Sequence, residues 1–100
     1  MCGSTVGGHS TEGIDVNKET VIQGTVTRAD VGVAGAYVRL LDSADEFTAE
    51  VQTSATGGFR FFAAPGSWTL RALAGGGANG EVRVVAEPGI NDVEVVVSSV

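Results

Sequence analysis

The side chain with the most reactive chemistry in this sequence is that of Cys2, the only cysteine in the chain. A cysteine acts as a nucleophile or a metal ligand in its thiolate form, which nearby positive charge stabilises. If Met1 is removed, Cys2 carries a free α-amino group, whose ordinary pKa is near ~8, beside its sulfur. Cys2 is therefore a candidate reactive thiol. A thiol without a fixed neighbour is also typical of an inert tail residue.

His9 is the only histidine in the chain, and it lies in the same Gly-rich segment as Cys2. Amine, thiolate and imidazole groups suit soft or borderline metals, so Cys2, His9 and the amino terminus are candidate ligands. A metal site needs three or four ligands held together, and a Gly-rich segment does not hold them. We therefore expect a solvated histidine, no metal and no cofactor. A Ser-His-Asp triad is excluded for the same reason.

An acidic cluster and two glycine runs are further candidates for ligand binding. The acidic residues do not have the spacing of a calcium loop, which favours a solvated turn: Asp42, Asp45, Glu46 and Glu50. The glycine runs at 57–58 and 75–77 are not followed by a helix and a lysine. Neither run is therefore typical of a phosphate-binding loop.

Four arginines alternate with apolar residues, which places them on the outward side of strands: Arg39, Arg60, Arg71 and Arg83. Such charges keep strand edges from aggregating. They also provide a candidate binding face, and we assign Tyr37, Arg39, Arg60 and Arg71 to it.

Composition limits the class of protein. The chain has 100 residues, 43% of them hydrophobic and 18% charged, with a net charge of −6. This predicts one folded domain that does not bind nucleic acid. No apolar run approaches the roughly 20 residues of a membrane span. The first residues also lack the pattern of a signal peptide, so we expect a cytoplasmic protein. Because the sequence shows no recognisable catalytic site, we expect it to be noncatalytic.

The chain divides into a predicted flexible arm, residues 1–17, and a β-domain, residues 18–100. The arm is rich in Gly, Ser and Thr. From Glu19 onward apolar and polar residues alternate with period 2, and no segment sustains a helical period. Seven short strands separated by Gly-rich turns predict an all-β fold, either a sandwich or an open barrel.

A hairpin over Pro65-Gly66 is predicted between the strands 59–62 and 67–71. Its register would set Phe61 opposite Trp68 and Phe59 opposite Leu70, with all four side chains on one face. We therefore expect these four residues in one core cluster, surrounded by Ile22, Val38, Leu40, Phe47, Val82 and Val95.

The strand patterns resemble a known fold family. Gly24-Thr25-Val26, the run 33–40, the run 53–61 and the run 65–70 are similar to the transthyretin-like, carboxypeptidase-regulatory-domain sandwich. The resemblance implies a seven-stranded transthyretin-like (prealbumin-like) β-sandwich. It implies nothing specific about function, so a general ligand-binding sandwich stays an alternative.

At closer range, the runs 40–50 and 59–71 and the cysteine after Met1 resemble a family of small actinobacterial proteins encoded beside rhodanese-type thiosulfate sulfurtransferases. That resemblance implies an accessory or protein-interaction module in sulfur metabolism, with a rhodanese-type sulfurtransferase as partner. Cys2 lacks the fixed cradle of a sulfurtransferase thiolate, so the chain is not expected to be one itself. The alternative is a sulfane-sulfur carrier that works through Cys2.

Overall fold

The structure is a computed structural model that describes residues 19–98. The predicted arm, Cys2 and His9 lie outside the described residues. Within residues 19–98 there are eight strands and one 3-10 turn, Gly75–Gly77. The strands are β1 (Thr20–Arg28), β2 (Val31–Gly32), β3 (Tyr37–Leu41), β4 (Phe47–Gln52), β5 (Gly58–Ala63), β6 (Gly66–Leu73), β7 (Asn79–Ala86) and β8 (Gly89–Val96). No helix in this part of the chain is long and apolar enough to cross a membrane.

The strands form two four-stranded sheets that pack face to face as a β-sandwich. In the front sheet the order is β4-β3-β6-β7, and all neighbours are antiparallel. In the back sheet, β8 runs parallel to β1 along one edge. Along the other edge, β5 and then β2 pair with β1 in antiparallel fashion.

The core lies between the two sheets and is made mostly by alternate residues of the strands. It consists of Ile22, Val26, Ala36, Val38, Leu40, Phe59, Phe61, Leu70, Ala72, Ala78, Ala86, Val95 and Val97, all at most 4% exposed. The period-2 prediction is confirmed on β3, where Val38 and Leu40 are buried while Tyr37 and Arg39 are exposed. Burial of this kind contributes about 25 cal/mol per Å² of apolar surface and holds the sheets together.

The prediction of seven strands was wrong by one, because Val31–Gly32 forms the short strand β2. This segment was interpreted as part of a connection. Two residues are too few to show a period of 2, and the turn before them, Ala29-Asp30, has positive φ angles of 52° and 67° without the usual glycine. The ladder of Arg28 with Val31 and Thr27 with Gly32 is therefore invisible in the sequence pattern.

The predicted hairpin over Pro65-Gly66 was also wrong, because β5 and β6 belong to different sheets. β5 pairs with β1, whereas β6 lies between β3 and β7. Phe59, Phe61 and Leu70 are buried in one core as predicted, and Trp68 is half-buried against it. Two strands that face each other across a sandwich bury the same alternate residues as two strands of a hairpin, so the pattern does not distinguish the arrangements.

Phe47 was expected in the core, but the structure places it on the outside of the sandwich, where 62% of the residue is exposed. A β-bulge causes this change. Leu40 pairs with Ala49 but Leu41 pairs with Phe47, so Thr48 is an extra residue in β4. Because of this extra residue, the side chain before Thr48 lies on the opposite face from the one that alternation with Ala49 and Val51 predicts. Phe47 therefore joins the outer face of the front sheet.

Thr53 fixes the start of β3, the strand that carries Tyr37 and Arg39. Its hydroxyl donates to the Val33 carbonyl at 2.6 Å and accepts from the buried Ala36 N–H at 2.8 Å. The Thr53 N–H also donates to the Ala36 carbonyl at 2.8 Å. These bonds satisfy backbone groups that would otherwise be buried without partners.

Candidate functional site

The outer face of the front sheet carries a row of four charged side chains, one from each strand. Arg39 pairs with Glu50 on β4 and with Arg71 on β6, and Arg71 pairs with Glu81 on β7. The order across the sheet is therefore Glu50, Arg39, Arg71, Glu81. We call this outer surface the arginine face; besides that row it carries the exposed residues Tyr37, Phe47, Leu73, Arg83 and Val85.

Each arginine of the row is held by the glutamate on its far side. Arg39 Nε donates to Glu50 Oε2 at 2.9 Å, and Arg71 Nε donates to Glu81 Oε1 at 3.2 Å. The two arginine side chains are 59% and 47% exposed, so each ion pair contributes at most about 1 kcal/mol to folding. These bonds orient the two arginine side chains, because each glutamate draws its arginine toward a different edge of the sheet.

The terminal nitrogens of both arginines remain available. Among residues 19–98, no side chain or carbonyl accepts a hydrogen bond from Nη1 or Nη2 of Arg39 or Arg71. A guanidinium has five N–H donors, and its planar fork matches the geometry of a carboxylate. The row therefore presents unused donors to the solvent in its two central strands.

Apolar surface borders these donors. Tyr37 and Leu73 are direct cross-strand partners on β3 and β6, one row along from the arginines, and they are 51% and 54% exposed. Together with Arg39, Arg71 and Glu50 they line a depression of about 290 Å³. On the other side of the row, the Arg39 guanidinium carbon lies 6.0 Å from the centre of the Phe47 ring. This distance is within the range of a cation–π contact.

The structure brings together three of the four residues that the sequence assigned to a binding face. Tyr37, Arg39 and Arg71 share the arginine face, whereas Arg60 lies on β5 of the back sheet. There Arg60 Nε donates to Gln23 Oε1 at 3.2 Å, and Gln23 Nε2 donates to Asp92 Oδ1 at 3.1 Å. Arg60 is thus part of a separate polar network across β5, β1 and β8.

Sequence reasoning did not find the other members of this surface. Glu50 and Glu81 become partners of the arginines only through the register of the front sheet. Leu73 follows from the alternation of β6, because Arg71 and Leu73 are two residues apart on one strand. The position of Phe47 on this face could be predicted only if the bulge in β4 were known.

The acidic cluster has a structural role. Asp42 Oδ1 accepts hydrogen bonds from the backbone N–H groups of Ala44 at 2.9 Å and Glu46 at 3.0 Å, which closes the turn between β3 and β4. Such bonds to the residue's own turn are typical of Asp. Across residues 19–98, no group of three or more His, Cys, Asp or Glu side chains is arranged to hold a metal ion.

Comparison with known protein families places the chain. The family described as "Protein of unknown function (DUF1416)" matches residues 2–97. The chain belongs to this family. It is 60% identical over 83 residues to the uncharacterized proteins Rv0814c and Rv3118 of Mycobacterium tuberculosis, covering 82% of this chain and 83% of each relative. It is 58% identical over 88 residues to an uncharacterized protein of Mycolicibacterium smegmatis, covering 86% and 97%.

One solved structure shares the fold of this DUF1416 protein. It is the crystal structure of a DUF3823 family protein from Parabacteroides merdae, with a TM-score of 0.63 and 17% sequence identity. The match covers 80% of this chain and 46% of that chain, so more than half of the other chain lies outside the match. A likeness at this identity supports the β-sandwich architecture and carries no function.

Proposed function

We propose that this protein is a noncatalytic binding module that docks onto another protein through the arginine face. The observation that carries the proposal is the pair of adjacent arginines, Arg39 and Arg71, whose terminal nitrogens donate to no acceptor among residues 19–98. They lie beside Tyr37 and Leu73, which are half exposed. Tyrosine and arginine are enriched at the energetic centres of protein–protein interfaces.

The chemistry of the sandwich supports binding over catalysis. Residues 19–98 contain no cysteine and no histidine, so the sandwich has neither a thiol nucleophile nor an imidazole base. The four charged groups of the central row form two ion pairs, an arrangement that suits recognition. A depression open to solvent also does not exclude water from a reacting centre.

A rhodanese-type sulfurtransferase is the first partner to test, since the resemblance of the runs 40–50 and 59–71 implies one. In this proposal the protein is a cytoplasmic accessory module of sulfur metabolism. The sulfurtransferase would carry out the chemistry, and the arginine face would provide the contact between the two proteins.

The proposal is tested by quantitative affinity capture with three forms of the tagged protein. We expect a partner retained by the wild type to be lost with the Arg39→Gln/Arg71→Gln variant. The matched control is Arg28→Gln, which removes the exposed charge of an arginine at the end of β1 in the back sheet. Equal retention by all three forms would contradict the proposal.

A second candidate function uses Cys2 as a sulfane-sulfur carrier. It is favoured by one observation: the family match begins at residue 2 and so includes the only thiol of the chain. Incubation with a sulfur-loaded rhodanese should then add the mass of one sulfur atom to the wild type and none to Cys2→Ser. An unmodified wild type would exclude the carrier and leave the binding module alone.

A further inference from the structure

We infer that the arginine face binds an acidic side chain of its partner, presented on an extended segment that has an apolar residue two positions away. This inference rests on the proposed function and names the chemistry of the partner.

The charge at the centre of the face favours a carboxylate. The depression is lined by Arg39, Arg71 and the single acidic residue Glu50, so its lining has a net positive charge, whereas the whole chain has a net charge of −6. Glu50 already accepts a hydrogen bond from Arg39 Nε. A carboxylate above the row would accept hydrogen bonds from unused Nη donors, and such charge-assisted bonds are about twice as strong as neutral ones.

The spacing of the face favours an extended peptide segment. The pair Arg39–Arg71 and the pair Tyr37–Leu73 are two residues apart along both β3 and β6. Two residues of a strand span about 7 Å. In an extended segment, side chains two positions apart have the same spacing and point to the same side. One such segment can therefore place an acid on the arginines and an apolar side chain on Tyr37 and Leu73.

The symmetry of the row disfavours a two-fold dimer of this chain in which the two rows overlap completely. The row is acidic, basic, basic, acidic when it is followed in either direction. In a two-fold dimer with aligned rows, either each residue faces its own copy or Arg39 faces Arg71 and Glu50 faces Glu81. Both arrangements oppose like charges, which is destabilising.

The size of the face disfavours a small carboxylate or a polyanion. Small-molecule sites usually enclose the ligand and bury most of its surface. This depression lies on the outer surface of a sheet and is open to solvent. A nucleic acid would be repelled by the negative charge of the rest of the chain. A protein segment that offers a single carboxylate suits both the open depression and the negative charge of the rest of the chain.

The test is a calorimetric titration of the whole protein with capped peptides, whose only carboxylate is a side chain. The first peptide contains Asp-Ser-Leu, the second Asn-Ser-Leu and the third Asp-Leu-Ser, which moves the apolar residue out of register. We expect the first to bind at least about fivefold more tightly than the other two. This difference should disappear in Arg39→Gln/Arg71→Gln and persist in Arg28→Gln.

Four results would overturn the inference. The Asp and Asn peptides could bind equally tightly, or acetate could bind as tightly as the Asp-Ser-Leu peptide. The Asn peptide could bind more tightly when its C-terminal carboxylate is left free, or the wild type could form a dimer that the Arg39→Gln/Arg71→Gln substitutions dissociate. If the peptides fail while affinity capture still depends on Arg39 and Arg71, the inference is wrong and the proposed function stands. The comparison between peptides needs no variant, so it holds even if a variant fails to fold.

Discussion

Arg39 and Arg71 are direct cross-strand partners on β3 and β6, and each donates from Nε to a glutamate on the strand beyond it. Two like charges placed opposite each other destabilise a sheet. The flanking Glu50 and Glu81 offset that repulsion without using the terminal nitrogens. The same four side chains therefore keep the sheet stable and leave donors available for a partner.

Removal of one glutamate tests this balance. We expect Glu81→Gln to lower the free energy of unfolding by less than about 1 kcal/mol, because the pair is exposed to solvent. The loss should vanish when Arg71→Gln is also present, because the repulsion between Arg71 and Arg39 is then gone. Urea unfolding of the two single variants and the double variant measures the coupling. If the two single losses of stability simply add in the double variant, Glu81 does not neutralise Arg71.

Gly24 should not tolerate any side chain. It lies at the centre of β1, and a Cβ built on it would collide with the backbone carbonyl oxygen of Val93 on the neighbouring strand β8. We expect Gly24→Ala to cost at least about 3 kcal/mol, because backbone atoms of two paired strands must separate. Gly75→Ala is the control, because nothing lies within 4 Å of its added Cβ. Equal stability of the two variants in urea would contradict the close approach of β1 and β8.

The hydroxyl of Thr53 should be needed for the start of β3. Thr53→Val keeps the shape of the side chain but leaves the buried Ala36 N–H without its 2.8 Å acceptor. An unsatisfied buried donor costs about 1–3 kcal/mol. Thr53→Ser retains the oxygen and should recover most of this loss. Thermal unfolding of both variants measures the effect, and a Val variant as stable as the Ser variant would exclude the bond.

Two phenylalanines test the bulge in β4. Phe47 is 62% exposed on the arginine face, whereas Phe61 is 4% exposed in the core. We expect Phe47→Ala to cost less than about 1 kcal/mol and Phe61→Ala to cost about 3–5 kcal/mol. If urea unfolding shows a large loss of stability for Phe47→Ala, Phe47 lies in the core and β4 has no bulge.

The sequence could predict which side of a strand each residue occupies, but not which strand lies beside it. Alternation placed Val38 and Leu40 inside and Tyr37 and Arg39 outside, as the structure does. It assigned β5 and β6 to one hairpin, because facing strands and paired strands bury the same residues. It also missed the bulge at Thr48, since one extra residue leaves no mark in composition.

The same limit applies to the candidate site. Tyr37, Arg39 and Arg71 were identified as outward residues of strands, but alternation could not separate them from Arg60, which lies on the back sheet. The pairing of Arg39 with Glu50 and of Arg71 with Glu81 depends on register between strands far apart in the chain. Register is a property of the packed sandwich, so it could be obtained only from the structure.

The most direct test of the arginine face is photo-crosslinking in the native cell with benzoylphenylalanine at position 37 or at position 62. Tyr37 and Phe62 are both aromatic and similarly exposed, at 51% and 59%, but they lie on the front and the back sheet respectively. We expect a discrete protein adduct from position 37 and none from position 62, and we expect Arg71→Gln to weaken the adduct. The same adduct from both positions, or an adduct from position 62 alone, would contradict binding through the arginine face.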